Sequence, residues 1–125
     1  MPHIKIGQLI LSPQERPHVA VPLNDADVLS VVGLHGADIV ELRIDMFKDL
    51  HAPHLIDIFK TFKEKFHGVP IIATCRSKEE GGAAEISNED RIGIFTRIID
   101  LTDAVDIEVE SDIAADMAAF VNKHG

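Results

Sequence analysis

Apolar and polar residues alternate from Ile39 to Asp45. Val40, Leu42 and Ile44 fall on one face, and Glu41, Arg43 and Asp45 fall on the other, the period-two pattern of a β-strand. Two later stretches repeat the pattern. In Val69–Arg76, Ile71, Ala73 and Cys75 oppose Ile72, Thr74 and Arg76; in Val105–Glu110, Val105, Ile107 and Val109 oppose Asp106, Glu108 and Glu110. Between these strands the apolar period lengthens to that of a helix. Leu55, Ile58, Phe59, Phe62 and Phe66 form a stripe on a helix starting near Pro53, a favoured first-turn residue, and stopping at Gly68. Ile92, Phe95, Ile98 and Ile99 mark another helix behind Ser87, whose spacing to Asp90 resembles a capping box. Ile113, Met117, Phe120 and Val121 mark a last helix, capped by Ser111 and ending in Asn122–Gly125.

Upstream, Val19–Leu23 reads as a strand whose pairing is limited by Pro22. Asn24 caps a helix that carries Asp25 and Asp27 in its first turn, turns Val28, Val31 and Val32 inward and stops near Gly36. Ile4–Leu11 is β-prone and closes at the turn Ser12–Pro13, where a short N-terminal hairpin with the following segment can form.

The order is four successive strand–helix units with no internal repeat, which predicts an α/β protein with a parallel sheet and right-handed crossovers. Parallel strands covered on both sides are apolar on both faces. Here three strands carry charges on one face, clustered toward their carboxyl ends, where (β/α) barrels and open α/β sheets build their sites. Either that face is solvated or it lines a polar cavity in which the charges do chemistry.

A length of 125 residues fits a single domain spanning 1–125. The net charge of −9 argues against nucleic acid or an anionic membrane as partner. It leaves room for an anionic small molecule, because a local pair of arginines can override the global field. Cys75 is the only cysteine, the N-terminus has no signal-peptide run, and no apolar stretch approaches the roughly 18 residues that span a bilayer. The expectation is a soluble cytoplasmic protein.

Glu41 and Arg43 share a face and can form an ion pair with no further role. Arg76, at the end of the next strand, changes the balance: two arginines on neighbouring strand ends can hold a carboxylate bidentately, with Glu41 orienting one of them. Asp106 and Glu108 add acceptors, and Glu80 lies in the glycine-rich loop four residues beyond Arg76. His51 and His54 fall near a helix start and read as solvent-facing, with no recognised metal-ligand spacing. Cys75 points away from Arg76 into the helix layer, as a buried and inert thiol.

Taken in succession, Ile39-Val-Glu-Leu-Arg-Ile-Asp45, Pro70-Ile-Ile-Ala-Thr-Cys-Arg-Ser-Lys-Glu-Glu-Gly-Gly82 and Val105-Asp-Ile-Glu-Val109 resemble the type I 3-dehydroquinate dehydratases in order and spacing. The resemblance implies a (β/α)8 barrel that dehydrates 3-dehydroquinate to 3-dehydroshikimate in the shikimate pathway, without metal or cofactor. It assigns Glu41, Arg43 and Arg76 to substrate binding, and Glu80 and Asp106 to support of a catalytic histidine. In that family a lysine forms a Schiff base with the substrate ketone and a histidine moves the proton. No lysine of this chain can be given the first role, and both groups belong to strands after the fourth. The expectation is therefore the N-terminal half of such a barrel, cut at an element boundary and carrying part of the substrate site. It would pair as a homodimer or with a C-terminal half. The alternatives are a non-catalytic half-barrel scaffold or regulatory module, and a barrel enzyme that uses its acids for a metal.

Overall fold

The computed structural model describes residues 4–14, 16–109 and 111–123. The chain opens with an antiparallel hairpin of β1 (Ile4–Ile6) and β2 (Leu9–Leu11), which pairs Ile4 with Leu11 and Ile6 with Leu9. The hairpin thus turns at Gly7–Gln8, inside the β-prone segment, and not at Ser12–Pro13. Gly7 has φ +59, and a Cβ there would lie 3.1 Å from Asp103 Oδ1. Left-handed backbone and close approach both select glycine.

Then come β3 (Ala20–Leu23), helix α1 (Asp25–Ser30), β4 (Ile39–Arg43), helix α2 (Ala52–Lys65), β5 (Ile71–Thr74), helix α3 (Asn88–Ile98), β6 (Ala104–Asp106) and helix α4 (Ala114–Lys123). The predicted parallel sheet is present, in the order β3-β4-β5-β6. Its register aligns Glu41 with Pro22 and Ile72, and Thr74 with Arg43 and Asp106.

One face of the sheet is buried. Val40, Leu42 and Ile44 from β4 and the turn after it meet Ile71, Ala73 and Cys75 from β5 and its end. Against them pack Leu55, Ile58, Phe59 and Phe62 of α2, Ile94, Phe95 and Ile98 of α3, and Met117 of α4. The α2 stripe is the predicted one, and Pro53 lies in its first turn.

Several elements are shorter than the sequence pattern suggests. Helix α1 stops at Ser30, because Val31 is extended and Lys65 of α2 donates from Nζ to the carbonyls of Val28, Leu29 and Val31 at 2.8, 3.1 and 3.2 Å. A cation from a second helix thus satisfies the carbonyls a helix end leaves free. As a result only Val28 is buried, and Val32 is 96% exposed rather than inward. The strand expected over Ile39–Asp45 turns into a 3-10 helix at Ile44–Met46. On α3 the buried stripe is Arg91, Ile94, Phe95 and Ile98, with Ile92 and Ile99 only half-buried. Strand β6 ends at Asp106, leaving Val109 exposed; Glu110 lies outside the described residues.

Phe59 is fully buried between sheet and helices. Phe59→Ala removes those contacts and leaves a cavity, so it should cost about 3–5 kcal/mol, whereas Val32→Ser should change stability by less than about 0.5 kcal/mol. Urea denaturation of both variants checks the contrast.

Candidate functional site

At the carboxyl ends of the strands the face opposite the core carries Glu41, Arg43, Thr74 and Asp106 in adjoining register positions. Glu41 and Arg43 are both half-buried. They do not form the anticipated hydrogen-bonded pair. Glu41 Oε2 accepts from Thr74 Oγ1 at 2.7 Å. Arg43 turns to Asp45, donating from Nε to Oδ1 at 3.0 Å and from Nη2 to Oδ2 at 2.8 Å. The acid that orients Arg43 is Asp45, through the fork geometry a guanidinium favours.

Asp45 does more than hold one arginine. It is 2% exposed, and it also accepts from the backbone N–H of Arg76 at 3.2 Å and of Ala83 at 3.1 Å. Burial pushes its carboxyl up, but the bonds from Arg43, Ala83 and Arg76 outweigh that and hold it below the usual carboxylate range. The same bonds tie both ends of the 76–83 loop to the turn that follows β4. Within that loop Gly82 has no room for a side chain: a Cβ would lie 2.2 Å from the Arg76 carbonyl oxygen.

Arg76 donates from Nη2 to Asp106 Oδ2 at 2.6 Å, and its Nη1 lies 3.7 Å from Glu108 Oε2. Asp106 remains partly open, with 37% of its side chain exposed. Glu108 does not stand beside it as a solvated acceptor, because the strand has ended and alternation no longer applies. It is 5% exposed, ion-paired with Arg91 and bonded to the Ser77 N–H at 2.7 Å. Burial raises its carboxyl, and the bonds from Ser77 and Arg91 bring it below its ordinary value.

Glu80 is not drawn into this group. It is exposed in a 3-10 turn (Lys78–Glu80) and lines a concavity of about 980 Å³ with Glu79, Glu85 and Asp112. His51 is exposed as expected, but His54 is not solvent-facing: its Nε2 lies 2.8 Å from buried Asp25, which also accepts from the Lys48 N–H at 2.9 Å. Cys75 is fully buried, and desolvation pushes its thiol up to about 12, too high for a nucleophile. Among the described residues no group of three His, Cys, Asp or Glu side chains could hold a metal, and no helix is long and apolar enough to cross a membrane.

Asp45 and Arg91 are the residues sequence reasoning undervalued. Asp45 completes the polar face Glu41-Arg43-Asp45, yet its reach into the next loop depends on a turn that alternation cannot show. Arg91 was legible: it stands three, four and seven residues before Ile94, Phe95 and Ile98, on the apolar stripe itself.

A parallel sheet, helices over one face and charged groups at the carboxyl ends of the strands on the other define a protein built of (β/α) units. The comparisons narrow that class. The family model for type I 3-dehydroquinase matches residues 20–125, and the chain belongs to that family. It is 43% identical over 103 residues to the 3-dehydroquinate dehydratase of Thermodesulfovibrio yellowstonii, covering 81% of this chain and 43% of the relative. It is 34% identical over 111 residues to that of Methanococcoides burtonii, covering 87% and 46%. The chain thus spans about half the length of the curated relatives it matches. Its fold is similar to the crystal structure of the 3-dehydroquinate dehydratase from Aquifex aeolicus, with TM-score 0.69 and 32% identity over 86% of this chain and 48% of that one. For the Clostridium difficile type I enzyme the TM-score is 0.84 at 22% identity, over 98% and 52%.

The depressed carboxyl of Asp45 sets a sign for pH dependence. Its contribution is complete above the unfolded aspartate value of about 3.9 and is lost as pH falls through the lower folded value. Urea midpoints measured from pH 7 to pH 3 should fall below about pH 4. In Asp45→Asn the midpoint should be lower at pH 7 and the acid slope shallower.

Proposed function

We propose that this chain supplies the substrate-binding strand ends of a type I 3-dehydroquinate dehydratase, the shikimate-pathway activity that turns 3-dehydroquinate into 3-dehydroshikimate. The observation that carries the reading is the pair of guanidiniums, Arg43 and Arg76, held at neighbouring strand ends by Asp45 and Asp106 beside Glu41, in a chain of that family. A guanidinium has five N–H donors. Asp45 takes two from Arg43 and Asp106 takes one from Arg76, which leaves donors for the substrate carboxylate and hydroxyls. Glu41 accepts from a substrate hydroxyl, and Asp106 and Glu80 act on a histidine brought by another part of the barrel.

The chemical step needs a lysine for the Schiff base and that histidine for proton transfer. The face that bears the site carries Pro22, Glu41, Arg43, Ile72, Thr74, Ala104 and Asp106, with no lysine or histidine among them. The chain by itself therefore binds without converting. Quinate should bind the purified chain, detected as amide shifts on titration, and Arg43→Ala or Arg76→Ala should weaken it about tenfold or more, the worth of a charged hydrogen bond. Dehydroshikimate absorbance should stay flat, and borohydride should trap no adduct with 3-dehydroquinate. Failure of the wild type to bind, or an adduct, would contradict the reading.

The same face is an open wall, and the outer edges of β3 and β6 have no strand partner among the described residues. Unpaired edges of this kind recruit further strands. In this reading the chain self-associates, or pairs with a chain bearing the remaining strand–helix units. Light scattering at micromolar concentration should report more than a monomer; a stable folded monomer contradicts it.

A further inference from the structure

The backbone around Arg76 lies beyond the sheet ladder, since β5 ends at Thr74. Its flanking polar groups are held instead by charged side chains. Arg91 Nε donates to the Cys75 carbonyl at 3.0 Å, Asp45 accepts from the Arg76 N–H, and Glu108 accepts from the Ser77 N–H at 2.7 Å. Arg91 is 1% exposed, and it also reaches Asn88 Oδ1 at 3.3 Å and Ser111 Oγ at 3.5 Å. It is a buried cation inside a stripe of isoleucine and phenylalanine, where a leucine would pack without desolvating a charge. Packing alone does not account for it.

Glu108 explains the choice. One of its oxygens bonds Arg91; the other bonds Ser77 N–H and stands 3.7 Å from Arg76 Nη1. Without Arg91 this buried carboxylate would keep only its longer ion pair with Arg76, at 3.7 Å, and would draw that guanidinium in. A buried unpaired charge is costly enough to move a half-exposed guanidinium, whose only other acid partner among the described contacts is Asp106 on the open face.

We propose that Arg91 and Glu108 are positioning residues for Arg76. Arg91 takes the close pairing with Glu108, so that Glu108 holds the backbone of the loop while its ion pair with Arg76 stays long, and the guanidinium stays at the strand ends for an anionic, hydroxylated ligand. The proposal rests on the reading of Arg76 as a ligand-binding residue, and its test keeps the two separable.

The test uses the 125-residue chain with Arg91→Met, the double variant Arg91→Met/Glu108→Gln, and Arg91→Lys. Three quantities are read: the Arg76 Nε–Hε resonance without ligand, the dissociation constant for quinate, and the thermal midpoint. Arg91→Met should shift the resonance and weaken quinate about tenfold or more. The double variant keeps an acceptor for the Ser77 N–H but no stranded charge. It should return the resonance and the affinity to near wild type while its thermal midpoint stays low. A purely structural role predicts the opposite: the double variant recovers nothing, or the resonance never moves, and either result overturns the proposal. Where Arg91→Met does not fold, Arg91→Lys decides, because its charge still neutralises Glu108. It should keep the wild-type resonance and affinity, and a tenfold loss in a folded Arg91→Lys protein overturns the proposal. If the wild type binds no quinate, the substrate reading fails, while the ligand-free Arg76 resonance still reports on the clamp.

Discussion

A parallel strand that stops leaves backbone N–H and C=O groups with no neighbour to pair with, and buried groups of that kind must find partners. In this chain the partners are side-chain charges. Asp45 takes the N–H groups of Arg76 and Ala83, Glu108 takes that of Ser77, Asp25 takes that of Lys48, and Arg91 serves the carbonyl of Cys75. The three carboxylates are almost fully buried. Their desolvation costs several kcal/mol each, and multiple N–H donors offset it, which is why their carboxyls lie below ordinary values despite burial.

The site geometry follows from that substitution. Since one carboxylate bonds both Arg43 and the two ends of the 76–83 loop, the side chain of one strand and the loop of the next are fixed by the same atoms. The loop then folds back closely enough that Gly82 meets the Arg76 and Ser77 carbonyl oxygens, where a Cβ would lie at 2.2 and 2.8 Å. Any side chain at Gly82 would push the loop away from Asp45 and release Arg76 with it. The E-G-G sequence is thus part of how the arginine is aimed, although Glu80 itself is exposed.

Much of the fold was legible because its signals are periodic. The α2 stripe, the β4 and β5 alternations and the helix caps at Asn24 and Ser87 all hold in the structure. What failed did so where periodicity ends. Val32 reads as a helix continuation, but Lys65 closes α1 before it. Glu108 reads as the second tooth of a polar face, but β6 has already stopped, and the side chain goes under the loop to Arg91. The pairing of Arg43 with Asp45 rather than Glu41 is decided by a 3-10 turn at Ile44–Met46, which swings Asp45 inward while Glu41 is satisfied by Thr74. Strand alternation names the residues on a face; it does not choose their partners.

If Arg43 and Arg76 bind an anion as proposed, they do so in an acidic protein. Asp45, Asp106 and Glu41 outnumber Arg43 and Arg76, so the local field alone does not attract a carboxylate. What the acids supply is order. Two long, flexible side chains lose rotamer freedom when they bind a ligand, a cost of about 0.5–1.5 kcal/mol each, and here Asp45 and Asp106 have already imposed it during folding. The remaining N–H donors of a guanidinium held in this way form directional, charge-assisted bonds with a planar carboxylate. On the proposed reading of Arg43 and Arg76 as ligand-binding residues, such a surface selects by the geometry of its donors rather than by net charge.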